Sequence, residues 1–189
     1  MTEPAITATA KNVLVIGYGE IGHAIEYLLA PRHKLHVWDR YPVPGHAPVD
    51  LEHAAAEADF VIFCVPTGPV EELAARIFPV LTTGSLSLCC AKGLDQKGRP
   101  AATAFHAAYG DKREFGLIYG PMISEEIRNG RPAFAQVGVR ERVLFDRVAA
   151  LFAGTSLYLD FTDDIVGISW SAILKNVYAI LFGAADELR

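Results

Sequence analysis

Asn12-Val-Leu-Val-Ile-Gly17-Tyr-Gly19-Glu-Ile-Gly22 is the stretch that decides the fold. Its first five residues form a short β-rich run ending in glycine, and apolar residues at helical spacing follow over 21–29. A strand that enters a helix through G-x-G-x-x-G has a physical reading. The first glycine makes the tight turn, the second lets a ligand approach the backbone, and the third packs helix closely on strand. The new helix offers unpaired N–H groups and the positive end of its dipole to a phosphate. Glycine-rich turns are common, so the placement between strand and helix carries the inference. Gly17, Tyr18, Gly19, Glu20, Ile21 and Gly22 are therefore the expected seat of a dinucleotide pyrophosphate.

Further along, Lys34-Leu-His-Val-Trp38 reads as the next strand, closed by Asp39. Strands over 59–65, 85–91, 115–119, 133–139 and 156–160 then alternate with helices over 50–57, 70–81, 101–109, 124–129 and 140–152. Strands this apolar, separated by helical segments, predict an α/β chain. Its expected core is a doubly wound, mostly parallel sheet of the Rossmann type, covered on both faces. Residues 1–10 read as a loose tail and 11–161 as the nucleotide-binding domain. The segment 162–189 reads as the first helix of a helical substrate domain that is truncated or missing. In it, Thr162-Asp163-Asp164 supplies helix N-caps, and a long stretch follows that is apolar on nearly every face. A helix apolar all round needs burial, so it is expected to pair with a second copy in a homodimer. A membrane span fits its length, but Lys175 and Asn176 interrupt it and make a span the poorer reading.

The bulk figures narrow the classes. A chain of 189 residues, 51% hydrophobic and 21% charged, suits one well-packed domain. A net charge of -5 disfavours nucleic acid, whose phosphates want a basic surface. Cys64, Cys89 and Cys90 match no zinc spacing, and an odd count argues against a disulfide framework, so they read as core thiols. No basic and apolar leader pattern opens the chain, which makes the cytoplasm the default compartment. The histidines are scattered, and no metal site is expected.

Several side chains stand where chemistry would be done. Asp39 is placed to accept hydrogen bonds from ribose hydroxyls and would repel a 2′-phosphate, which favours NAD over NADP. The neighbouring Arg40 keeps NADP open, since a guanidinium pairs well with a phosphate. Val65 and Pro66 end the third strand at the carboxyl edge of the sheet, where ligands bind in open α/β folds. Lys92 follows the fourth strand at that edge, and Lys175 sits midway along the apolar final helix beside Asn176. A lysine desolvated on an apolar helix, with a second ammonium nearby, loses its proton more easily and can serve a ketone oxygen as acid or base. Ser124, Glu125 and Glu126 open a short helix, and capping explains them as well as chemistry does.

Taken in order, these motifs resemble the NAD-dependent glycerol-3-phosphate dehydrogenase family. The resemblance rests on Gly17-Tyr-Gly19-Glu-Ile-Gly22, Ala58-Asp-Phe-Val-Ile-Phe-Cys-Val-Pro66 and Ala91-Lys-Gly-Leu94. It continues through Gly120-Pro121 with Glu125-Glu126 and Pro132, then Leu174-Lys-Asn-Val-Tyr-Ala-Ile180. It implies that Lys92 and Lys175 form the active-site pair, with Lys175 the general acid/base on the carbonyl of dihydroxyacetone phosphate. It implies too that Lys92 and Asn176 hold this small phosphorylated substrate. The chain departs from the family at Met122, where the pattern has serine, and at the bulky Ile168-Ser-Trp-Ser-Ala172. Two other readings stand beside this one. One is a catalytically incomplete NAD-binding module. The other is a ketopantoate-reductase-like or hydroxyacid dehydrogenase on the same nucleotide domain, for which Lys92-Gly93 has no explanation.

Overall fold

The run that opens the turn forms β1 (Asn12–Ile16), with Val13 through Ile16 fully buried. The computed structural model describes residues 9–188, so residues 1–8 of the expected tail lie outside the described residues. Beside β1 lie β2 (Lys34–Trp38) and β3 (Phe60–Phe63), followed outward by β4 (Leu86–Cys89), β5 (Phe115–Tyr119), β6 (Ala133–Gly138) and β7 (Leu157–Thr162). They make one sheet in the order β2-β1-β3-β4-β5-β6-β7. Strands β1 to β5 run parallel. β6 returns antiparallel to β5, and β7 pairs parallel with β6. This is the doubly wound, mostly parallel architecture the alternation predicts. The chain leaves β1 on one side for β2 and crosses back to β3 on the other. The loops therefore diverge above β1 and β3 and open a crevice there, the place ligands use in such sheets.

Each β strand turns alternate side chains to opposite faces, and both faces are covered. On one, Val13, Val15, Ile62, Leu88 and Val137 pack under α1 (Glu20–Leu29), α5 (Ser124–Arg128) and α6 (Arg142–Leu151). On the other, Leu14, Ile16, Val61, Phe63 and Leu117 pack under α2 (Leu51–Glu57), α3 (Val70–Ile77) and α4 (Ala101–Tyr109). Burying strands on both faces is what makes them continuous apolar runs rather than alternating ones. α3 stops at Ile77, short of the expected 81: Phe78 still has helical dihedrals, but Pro79 has no N–H to carry the ladder on. The thiols of Cys64, Cys89 and Cys90 are free and buried, as their apolar setting predicts. The second helical layer does not reach β6 and β7. There Phe134 and Tyr158 stack at 5.4 Å with more than half of each surface exposed.

The last helix, α7 (Ile165–Glu187), is capped by Asp164, whose carboxylate accepts from Gly167 N at 2.7 Å. Its first turns cross the sheet where Gly138 leaves room: a Cβ there would lie 2.9 Å from the Ile168 side chain. Only Ile168 and Ser169 are buried on α7 among the described residues. Beyond them Leu174, Val177, Tyr178, Ile180, Leu181 and Phe182 are exposed. By length and composition α7 is apolar enough to cross a membrane, with a window of mean hydropathy 1.6, of which 17% is buried.

Candidate active site

At the glycine turn the protein itself demands two of the three glycines. Gly17 has φ +96°, and a Cβ there would sit 2.9 Å from the Cys64 carbonyl and 2.7 Å from Val65 Cγ1. A Cβ on Gly22 would lie 2.4 Å from the Gly17 oxygen. Gly19 differs: nothing lies within 4 Å of its Cβ position. It is the N-cap of α1 and makes no side-chain cap. The turn is thus pressed against β3 on one side and open over the start of α1 on the other, with Glu20 and Ile21 in the helix's first turn. That opening, above the first N–H groups of a helix, suits a pyrophosphate. Val65 flanks it, Pro66 follows in the chain, and Thr67 just beyond keeps a buried hydroxyl with no hydrogen-bond partner among the described residues.

Asp39 directly follows β2, beside this turn. Its Oδ2 accepts from Tyr18 N at 2.8 Å and its Oδ1 from Tyr41 N at 3.1 Å. Two backbone donors fix the carboxylate at the turn, and an ionised carboxylate has further lone pairs for hydroxyls. Arg40 is exposed. Both residues line a cavity of about 230 Å³ with Trp38, His46 and Val49. The Tyr18 side chain folds back over α1, where its hydroxyl donates to Glu26. His46 Nε2 lies 3.2 Å from that hydroxyl and 3.2 Å from Glu26 Oε1. Burial, and then the Glu26 carboxylate, push the Tyr18 phenol up to about 12. A cavity of about 770 Å³, lined in part by Tyr18 and Glu26 of this cluster, lies between α1 and the 154–156 loop, and its lining residues include no lysine.

The two singled-out lysines meet. Lys92, Gly120, Gln136, Ser171 and Lys175 line one cavity of about 210 Å³, closed on its apolar side by Pro121, Ile168 and Ala172. Lys92 is half-buried and its Nζ donates to the Gly120 carbonyl at 3.0 Å. Gly120 is held there by β6: a Cβ on it would lie 2.1 Å from the Phe134 oxygen. Tyr119 donates its hydroxyl to the Ala91 carbonyl at 2.6 Å, which fastens the start of the Lys92 loop. Burial holds the Lys92 ammonium below the ordinary lysine pKa; Cys90 opposes this and the Lys175 charge adds to it.

Three expectations change here. The burial foreseen for Lys175 falls on Lys92 instead, because the described residues leave the middle of α7 largely uncovered and Lys175 is exposed. Asn176 does not join the cavity. Residues 168, 171, 172 and 175 form one helical stripe, and the residue after Lys175 is turned about 100° away from it. Ser124 is not a cap of its own helix. Its hydroxyl donates to the Glu20 carbonyl at 2.6 Å and ties α5 to the first turn of α1. Gln136 and Ser171 escaped the sequence reading. Gln136 shows only as a polar residue in the alternating run Ala133-Phe-Ala-Gln-Val, and Ser171 as a small residue before the lysine. Met122, the departure from serine, has a thioether in place of a hydroxyl and is turned into the core rather than towards this cavity.

The profile of the NAD-dependent glycerol-3-phosphate dehydrogenase N-terminus matches residues 41–143. That stretch begins past the glycine turn and includes Lys92 and Gly120. Among curated proteins the chain is similar to a glycerol-3-phosphate dehydrogenase (NAD(P)+) of Synechocystis sp., 27% identical over 182 residues, covering 95% of this chain and 56% of that protein. A protein of the same name from Gloeobacter violaceus is 28% identical over 180 residues, covering 94% of this chain and 57% of that one. The chain thus spans a little over half the length of these relatives. In fold it is similar to the crystal structure of glycerol-3-phosphate dehydrogenase from Coxiella burnetii, with a TM-score of 0.82 at 19% identity. The match covers 94% of this chain and 62% of that one.

Because the Lys175 charge helps to lower the Lys92 pKa, Lys175→Met should move it back up towards the ordinary lysine range. A side-chain NMR titration of the lysines follows this directly. A Lys92 titration that does not move would show that the two ammonium groups do not interact.

Proposed function

We propose, for a chain that belongs to the family of NAD-dependent glycerol-3-phosphate dehydrogenase N-terminal domains, an oxidoreductase role. It interconverts dihydroxyacetone phosphate and sn-glycerol 3-phosphate, with NAD on the glycine turn. The observation that carries this reading is the meeting of Lys92 and Lys175 on one small cavity at the edge of the nucleotide-binding sheet. Two cations and no carboxylate among its lining residues favour a small anionic substrate. The names of the curated relatives support the substrate.

The residues divide the work as follows. Gly17, Gly19 and Gly22 with the start of α1 hold the pyrophosphate, and Asp39 takes the adenosine ribose. When bound, the nicotinamide supplies or accepts the hydride. The Lys175 ammonium gives its proton to the substrate carbonyl oxygen as that carbonyl is reduced, and the amine takes it back in the reverse direction. Lys92, fixed by the Gly120 carbonyl, orients the substrate and adds positive charge where negative charge develops. A binding module without turnover is the second reading. It is favoured by Met122, which carries no hydroxyl where the resembled pattern has serine and is buried in the core.

NAD rather than NADP is supported by the Asp39 carboxylate, fixed by two backbone donors at the β2 end. The exposed apolar length of α7 supports a homodimer in which that helix is covered by a second copy. Protein suits it better than lipid, because Lys175 lines a cavity that the substrate must enter from water.

With NADH and dihydroxyacetone phosphate, Lys175→Ala should lower kcat by about 10²–10⁴-fold, the usual contribution of a general acid. Tight NADH binding without turnover in the unmodified chain would leave the binding-module reading in its place. Asp39→Gly should shift the NADH-to-NADPH affinity ratio towards NADPH; an unchanged ratio would mean that Asp39 does not meet the ribose. Light scattering should give twice the chain mass, and a strictly monomeric species would rule out the α7 dimer.

A further inference from the structure

We infer that Gln136 sets how long a substrate the lysine cavity accepts, by walling it off from a second cavity on the open face of β6 and β7; this rests on the substrate reading proposed above. The second cavity is about 400 Å³ and shares Tyr119, Gly120, Pro121 and Gln136 with the first. Three of these four cannot yield. Tyr119 is buried and donates to Ala91. Gly120 has the β6 backbone where a side chain would be, and Pro121 has a closed ring. Gln136 has a long exposed side chain that makes no hydrogen bond to another described residue. The partition between the cavities therefore depends on Gln136.

Its position follows from the pleat. Gly138, Gln136 and Phe134 alternate along one face of β6, at the two-residue repeat of a strand. Gly138 lies under Ile168 of α7, and Phe134 lies out on the open face stacked on Tyr158. Gln136 stands between them, next to Asp160 on β7 in the parallel register. Its amide suits the task. It is neutral beside two ammonium groups, and it donates and accepts, so it can meet a hydroxyl at the unphosphorylated end of a three-carbon substrate. The lysine cavity is below the ~300–1,000 Å³ typical of drug-sized ligands. Beyond Gln136 the surroundings change to an aromatic pair and the Asp160 carboxylate. The substrate class that would reach across is a phosphorylated ketone with an uncharged aromatic arm, since the carboxylate disfavours an anionic one.

The test compares dihydroxyacetone phosphate with 4-phenyl-2-oxobutyl phosphate in the full chain, the Gln136→Ala variant and the Gln136→Leu variant. NADH oxidation gives kcat/KM, and saturation-transfer NMR gives binding apart from turnover. Gln136→Ala should shift the preference towards the phenyl substrate by tenfold or more, in kcat/KM and in affinity alike. Gln136→Leu keeps the bulk and removes the amide, so it should leave the phenyl substrate excluded and weaken dihydroxyacetone phosphate several-fold. If the unmodified chain handles dihydroxyacetone phosphate and Gln136→Ala leaves the ratio where it was, the wall is not Gln136. If the unmodified chain neither binds nor turns over dihydroxyacetone phosphate, the substrate reading fails first and this inference falls with it.

Discussion

Everything at the carboxyl edge of the sheet depends on how closely the turn after β1 approaches β3. Gly17 stands where a Cβ would be 2.9 Å from the Cys64 backbone, and Gly22 where one would be 2.4 Å from the Gly17 oxygen. These distances leave no room for a side chain on either glycine. Because the turn sits this low, α1 begins directly over the crevice between β1 and β3, and its first N–H groups face the open space at Gly19. A methyl group at either tight position would lift the helix from the sheet. It would move the α1–α5 contact made by Ser124 on Glu20 and loosen the hold of Asp39 on Tyr18.

The second centre depends on a different approach. β6 returns antiparallel to β5 and passes so near Gly120 that only glycine fits. The Gly120 carbonyl is thereby fixed as the acceptor for Lys92. The same strand places Gly138 where α7 can cross it, and α7 brings Lys175 to the cavity on the stripe that carries Ile168, Ser171 and Ala172. The parallel half of the sheet thus carries the open glycine turn, and the antiparallel return with α7 carries the lysine cavity. The two lysines come from opposite ends of this arrangement and meet between them.

What could be read from the sequence divides along the same line. The glycine turn, the strand–helix alternation and the final helix are local patterns, set by periodicity and backbone sterics over a few residues, and the fold followed from them. Lys92 stood out by its place at the carboxyl end of a strand, and Lys175 as a charge in an apolar helix. Which of them is buried could not be read, since that depends on what packs over α7. Gln136 and Ser171 carry no local mark of function. Their place comes from the β5–β6 pairing and the crossing of α7, contacts between residues far apart in the chain. Asn176 shows the reverse case: adjacent to Lys175 in sequence, it is carried off the cavity by the turn of the helix.

The cluster of Tyr18, Glu26 and His46 has a thermodynamic consequence for the loop after β2. That loop forms one wall of the cavity at Asp39 and Arg40, and His46 fastens it to α1 through a phenol and a carboxylate. A loop left free would have to be ordered when a nucleotide arrived, and each immobilised side chain would subtract about 0.5–1.5 kcal/mol from the affinity. Here that ordering entropy is lost during folding. This wall of the cavity is pre-organised, and the binding free energy of any ligand it takes is left for the contacts themselves.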